Sequence, residues 1–248
     1  MLPEELKHRT VPAARYLMIS CEHGGNRIPL PWQHLFRDCQ TLLESHRGFD
    51  PGALVMAKAL ARSFRAPLLS ATVSRLLVDL NRSIGHPDLH AQSIRALPAA
   101  TRQQILGKHY QPYRKEALRR AQKIVSTHGR VIHVSCHSFT GNLDGVQRHA
   151  DVGLLYDPAR TAERDLCARW KSALRTSSPG LEVRRNYPYQ GRNDGLTTTL
   201  RQQLPHDRYL GIELELNQKH VAAPENHWPA LRAAIITTLE TALKDLDT

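Results

Sequence analysis

Apolar and polar positions divide this chain into short, nearly continuous apolar runs and longer stretches with apolar residues three or four apart. The short runs suit buried strands; the longer stretches suit helices with one buried face. Residues 15–21 (RYLMISC), 130–136, 151–156 (DVGLLY), 181–186 (LEVRRN) and 208–216 (RYLGIELEL) are predicted strands. The stretch PLLSATVSRLLVDL (67–80) predicts one or two more. Helices are predicted over 51–64, within 100–128, over 160–175 and over 226–246. In the first, Pro51 suits the opening turn and Asp50 is the candidate N-cap. In the second, Ile105, Tyr113, Leu118, Ala121 and Val125 supply the apolar positions. Paired glycines and spaced prolines make EHGGNRIPLP a loop, and residues 1–14 read as a loose arm.

Strands alternating with helices predict an α/β fold with a largely parallel sheet covered on both faces. No internal repeat or Gly/Ser-rich linker interrupts the 248 residues, so one domain over 1–248 is expected. In such sheets ligands sit at the carboxyl ends of the strands. There the chain places Glu22 and His23, then Asp79, Asn81 and Arg82, then His137, with Asp50 at the head of a helix. Histidines and carboxylates on one rim are the donors zinc prefers, although a histidine at a strand end is also a common hydrogen-bonded structural residue. Glu213 and Glu215 share one face of their strand by the period of two. They fit a solvated edge or a site equally. Arg82 follows an apolar stretch, which favours a site over a plain surface charge.

Composition narrows the partners. The net charge of +11 favours anions, but the basic residues are scattered and aromatics are only 6%, which argues against a nucleic-acid platform. The densest basic run, Arg114 to Lys123, has the spacing of a solvated helix face. Cys21, Cys39, Cys136 and Cys167 form no CxxC pair, and Cys21 and Cys136, on predicted buried strands, read as small core residues in a reducing compartment. No apolar run approaches a membrane span and no secretory segment opens the chain, so a cytoplasmic protein is expected. No P-loop or GxGxxG spacing supports nucleotide binding.

The segments SCEHGGNRIP, DPGA at 50–53, SRLLVDLNRS, HVSCHSF, NYPYQGRNDGLT and GIELELNQ follow in this order. Together they resemble the N-formylglutamate amidohydrolase family over roughly residues 15–221, with a more distant likeness to zinc carboxypeptidases. The resemblance implies a phosphorylase/hydrolase-like three-layer α/β/α sandwich around a mixed, mostly parallel sheet. It implies zinc, or another divalent metal, held by His23 and His137. The carboxypeptidase pattern His-x-x-Glu departs here to Asn26, a poor ligand; an aspartate before this helix belongs to the resembling family's pattern, which implies Asp50 as the third ligand, with Glu22, next to the first histidine, as the runner-up. Glu215 is the implied general base, preferred over Glu213 because it aligns with the Glu-Leu-polar-polar run. Arg82 with Asn81 would grip a substrate carboxylate, and Arg75 would stabilise an oxyanion or hold a second carboxylate. Tyr189, Gly191, Arg192 and Asp194 belong to a loop that would close over substrate. His109 and Tyr113 also match the family, but read equally well as packing residues. The implied activity is hydrolysis of a small anionic N-acyl amino acid such as N-formylglutamate. Two alternatives stand beside it: another zinc hydrolase, of carboxypeptidase or cell-wall amidase type, and a basic nucleic-acid-binding protein.

Overall fold

The structure, a computed structural model, describes residues 15–223 and 227–244; the predicted loose arm lies outside them. The chain enters β1 (Leu17–Cys21), then a 3-10 turn over Leu30–Phe36, the short helix α1 (Gln40–Glu44), α2 (Ala53–Phe64) and β2 (Leu68–Ser70). Two short helices, α3 (Gln92–Arg95) and α4 (Ala99–Ile105), lead to α5 (Gln111–His128). Then come β3 (Val131–Phe139), the hairpin β4 (Asn142–Leu143) and β5 (Val146–Gln147), β6 (Val152–Leu155), α6 (Thr161–Ser177) and β7 (Val183–Arg185). The chain continues through α7 (Leu196–Gln203), β8 (Tyr209–Asn217) and α8 (His227–Lys244).

Six strands form one sheet in the order β2-β1-β3-β8-β6-β7. The first four run parallel; β6 pairs antiparallel with β8, and β7 follows β6. The sheet is therefore mixed and mostly parallel, as expected. Each central strand is apolar on alternate positions toward a different helical layer. Ile132, Val134 and Cys136 of β3 join Ile212 and Leu214 of β8 in a core covered by α2, α6 and α8. Val131 and Tyr209 face the other layer, with Tyr113, Ala117 and Ala121 of α5 and Leu200 of α7. Trp170, fully buried on α6, keeps its indole satisfied by donating Nε1–H to Thr238 Oγ1 of α8 at 3.2 Å. Burying an apolar side chain of that class contributes about 2–3 kcal/mol.

Several expectations need refinement or correction. Of the one or two strands expected in residues 67–80, one forms, Leu68–Ser70. Beyond an isolated bridge at Val73 the segment turns, with Leu77 N–H bonded to the Ser74 carbonyl. Leu76, Leu77, Val78 and Leu80 are apolar because the turn is buried. The long helix expected within 100–128 forms, with a π-helical turn over Leu106–Tyr110 joining α4 to α5. Pro112 follows at the head of α5 and has no N–H for the preceding turn. α5 stops at Gly129, whose N–H still reaches the Val125 carbonyl and whose positive φ then turns the chain out of the helix. Asp50 does not cap α2: the N-cap is Gly52, at φ +82, and makes no side-chain cap bond. β8 is no solvated edge but a central strand, buried along its whole length. Cys21, Cys136 and Cys167 are buried, Cys39 is half-buried, and all are free thiols.

Candidate active site

Five separated segments meet at the carboxyl end of the parallel strands. β1 ends at Cys21 and delivers Glu22 and His23, both buried. β3 carries Ser135 and His137 on the same face, and β8 places Glu213 and Glu215 directly beside them. The turn before α2 brings Asp50 inward, and the turn after β2 brings Arg75, Asp79 and Asn81. Asp50, freed from capping, lies with Oδ2 at 3.3 Å from His23 Nδ1 and 2.9 Å from His137 Nδ1. Donor atoms of His23, Asp50 and His137 all fall within 4.8 Å of one another.

The outer nitrogen of each ring is held by a second carboxylate. His23 Nε2 lies 2.7 Å from Asp79 Oδ1, and His137 Nε2 lies 3.1 Å from Glu22 Oε2. Glu22 in turn accepts from Ser135 Oγ at 2.5 Å and from the Tyr113 hydroxyl at 2.9 Å. Arg75 closes the ring of charge, donating Nε–H and Nη2–H to Asp79 Oδ2 and Nη1–H to Asp50 Oδ1. This geometry leaves two of its five N–H groups for anything else.

Burial opposes ionisation of Glu22, Asp50 and Asp79, yet all three stay well below the usual carboxylate range. The counter-charges are His137 at Glu22, His23 and His137 at Asp50, and Arg75 and His23 at Asp79. Burial also disfavours charged imidazoles, but these carboxylates hold both His23 and His137 above their ordinary values. Three buried carboxylates therefore balance one guanidinium and two imidazolium rings.

That balance fits a divalent cation. Such an ion would take the Nδ1 atoms of His23 and His137 and Oδ2 of Asp50, replacing two ring protons by two positive charges. Carboxylates behind ligating histidines fix the ring orientation and raise ligand basicity. The runner-up ligand Glu22 thus stands behind His137 rather than among the inner donors. Asn26 is half-buried in the same loop, and no hydrogen bond among the described residues joins it to the three donors.

Glu215 is the odd carboxylate. Its register partner is His137, it is 5% exposed, and Oε2 has no hydrogen-bond partner. Burial first, then Asp50 and Glu213, push it up to about 8 against the pull of His137 and Arg75. Glu213 is committed elsewhere, accepting from Thr197 Oγ1 at 2.6 Å. Asn81 reaches within 3.4 Å of His137 Nε2 while its Oδ1 accepts from Leu196 N–H at 2.7 Å. Arg82 donates Nη1–H to the Asp194 carbonyl, and its Nε is buried without a partner. Asp194 faces Ser83, accepting from the Ser83 N–H at 2.9 Å and from its hydroxyl, so it anchors the Arg82 turn. Tyr189 and Arg192 are exposed on the loop above. Tyr189 takes a hydrogen bond from Arg148 at 3.2 Å. This loop can lie over the sheet because residue 153 is glycine: a Cβ there would stand 1.9 Å from the Tyr187 carbonyl.

Sequence reasoning gave Asp79 no role, missed Ser135 and left Tyr113 open as a packing residue. The signal for Asp79 was present, an acid beside Asn81 and Arg82 in a buried turn. Ser135 becomes visible only once the register of β1 and β3 sets it beside Glu22.

No curated protein sequence gives a significant match to the chain. Among solved structures, a gene product from Agrobacterium tumefaciens superposes with a TM-score of 0.78 at 26% identity, over 100% of both chains. The N-formylglutamate amidohydrolase of Ralstonia eutropha superposes with a TM-score of 0.73 at 19% identity, over 99% of this chain and 96% of that one, and has the same fold. The family model for N-formylglutamate amidohydrolase matches residues 16–222, a span that contains every residue of the cluster described above. The chain belongs to the N-formylglutamate amidohydrolase family.

Proposed function

We propose that this amide hydrolase is a divalent-metal enzyme, with zinc the leading ion, that cleaves small anionic N-acyl amino acids, N-formylglutamate first among them. The observation that carries the reading is the convergence of His23, Asp50 and His137, with a carboxylate behind each ring. A cation held there would supply Lewis-acid polarisation of the scissile carbonyl, acidification of water, and a positive field that favours ionised Glu215.

The remaining work falls to the chain. Glu215 has one carboxylate oxygen free of partners and sits beside His137, placed to take a proton from attacking water. The water oxygen joins the acyl carbon to give a tetrahedral intermediate. Glu215 returns the proton to the amide nitrogen, the C–N bond breaks, and the amine and formate separate. Arg82, with its unsatisfied Nε, and Asn81 would hold the amino-acid carboxylate. Arg75 keeps Asp50 and Asp79 ionised and in place, and its two remaining N–H groups would face the developing oxyanion. Tyr189 and Arg192 would cover the substrate from the loop, Arg192 facing a side-chain carboxylate.

The test pairs elemental analysis with formate release from N-formylglutamate. About one divalent ion per chain, lost in His137→Ala, with formate released by the loaded protein, is the expected result. Absence of bound metal after incubation with zinc overturns the metal reading. Bound metal with hydrolysis of other acyl amino acids but not of N-formylglutamate overturns the substrate.

A further inference from the structure

On the opposite face of the sheet from Glu215, α6 is flanked by two adjoining cavities that share Ser172 and Thr176. The first, about 550 Å³, lies between α6 and β7 and is lined by Lys171, Arg175 and Arg185. Among the described residues, none of these three cations has an ion-pair partner. The second, about 420 Å³, lies between α6 and α8 and is rimmed by Arg169 and the hydroxyls of Thr237 and Thr241. Arg169 spends Nε–H on the Ala242 carbonyl, and its Nη2 is buried with no partner. No carboxylate among the described residues lines either cavity.

Ion pairs offset like-charge repulsion elsewhere on the same elements: Arg164 with Asp165, and Arg184 with Glu182. Around Lys171 nothing does so. Its ammonium is held below the ordinary value, first by partial burial and then by Arg185, Arg175 and Arg184. An anion would relieve that field, and hydroxyls of Ser172 and Thr176 stand on the same helix face to donate to its oxygens. Several cations around a concave volume suit an anion with more than one phosphate-like centre. No aromatic side chain lines the cavities, so the stacking platform that single-stranded nucleic acid needs is missing.

We infer that the paired cavities flanking α6 form a binding site for a small soluble polyphosphate, separate from the catalytic cluster. The site needs no metal and no substrate, so its fate is independent of the activity proposed above.

The test is an amide-resolved NMR titration of the full chain with tripolyphosphate. Saturable shifts in residues 168–177 and 183–186, and at least tenfold weaker binding in a Lys171→Ser/Arg185→Ser double variant, are expected. Shifts confined to residues 22–27, 50, 75–82 and 137 would place the anion at the catalytic cluster and overturn the inference. Non-saturating shifts overturn it too, as does capture of a single-stranded oligonucleotide on this face with no response to tripolyphosphate.

Discussion

His133 and His137 lie four residues apart on β3, point to the same face and are both buried. Each has both ring nitrogens occupied, yet they are opposite in character. His133 sits between neutral hydroxyls, with Nε2 2.7 Å from Ser20 Oγ and Nδ1 2.8 Å from Tyr209 Oη. Burial holds it down to about 4, so it is neutral. His137 sits between Asp50 and Glu22 and is held well above its usual value despite the same burial. Depth therefore does not separate a core histidine from a candidate ligand. What separates them is whether the ring meets hydroxyls alone or carboxylates as well. The first satisfies the ring and ends there. The second leaves charge that must be balanced by protons or by a cation.

The comparison breaks most visibly at its charged end. In metal-free protein at pH 7, His137→Ala leaves buried Glu22 without its ion-pair partner and takes one of three cationic partners from Asp50, and should cost about 3–5 kcal/mol, read by urea denaturation. A loss below about 1 kcal/mol would mean that the two carboxylates are not held by His137.

Glu215 sharpens the same contrast, because burial outweighs the pull of the His137 and Arg75 charges on its carboxyl. Its folded value of about 8 lies above the usual 4.5, so the folded state keeps a proton the unfolded state releases. The stability contribution is complete below about pH 4.5 and is lost as pH rises through about 8. Metal-free Glu215→Gln should lack that loss and become the more stable protein above pH 8, by up to about 5 kcal/mol. With metal content unchanged, its turnover should fall about 10²–10⁴-fold. Equal pH profiles of stability, or retained turnover, would remove Glu215 from its assigned place.

The neutral end gives the smallest effect. The folded value of His133, about 4, lies below that of a free histidine, so the unfolded chain takes up the proton first. Its contribution is complete above about pH 6.5 and drains away as pH falls toward 4, by about 3 kcal/mol. Thermal unfolding at both pH values should show this loss in the parent and not in His133→Gln. Parallel curves would mean that His133 is not neutral in the folded state.

Much of this was legible from sequence because strand patterning and site chemistry coincide. The runs ending at Cys21 and spanning Val131–Phe139 announce buried strands, and the polar residues at their ends interrupt the pattern. Asp50 was read in two ways at once, as helix cap and as ligand; only the position of Gly52 separates them. Residues 76–80 misled because an apolar run records burial and carries no information on whether the backbone is extended or turned. The carboxylates behind the histidines were the least legible. Asp79 and Glu22 reach their rings from 56 and 115 positions away in sequence, contacts that only strand order and register create.

Those separations carry a kinetic consequence. His23 and Asp50 are 27 positions apart, and Asp50 and His137 are 87. A ligand that ties the three together therefore acts as a cross-link closing two long loops, available only to a chain whose distant segments have already docked. Such a ligand binds the folded state and not its fragments, so it would lower the unfolded population by mass action. The cluster would then serve as a latch on the finished fold, and occupancy would report on foldedness before any substrate arrives.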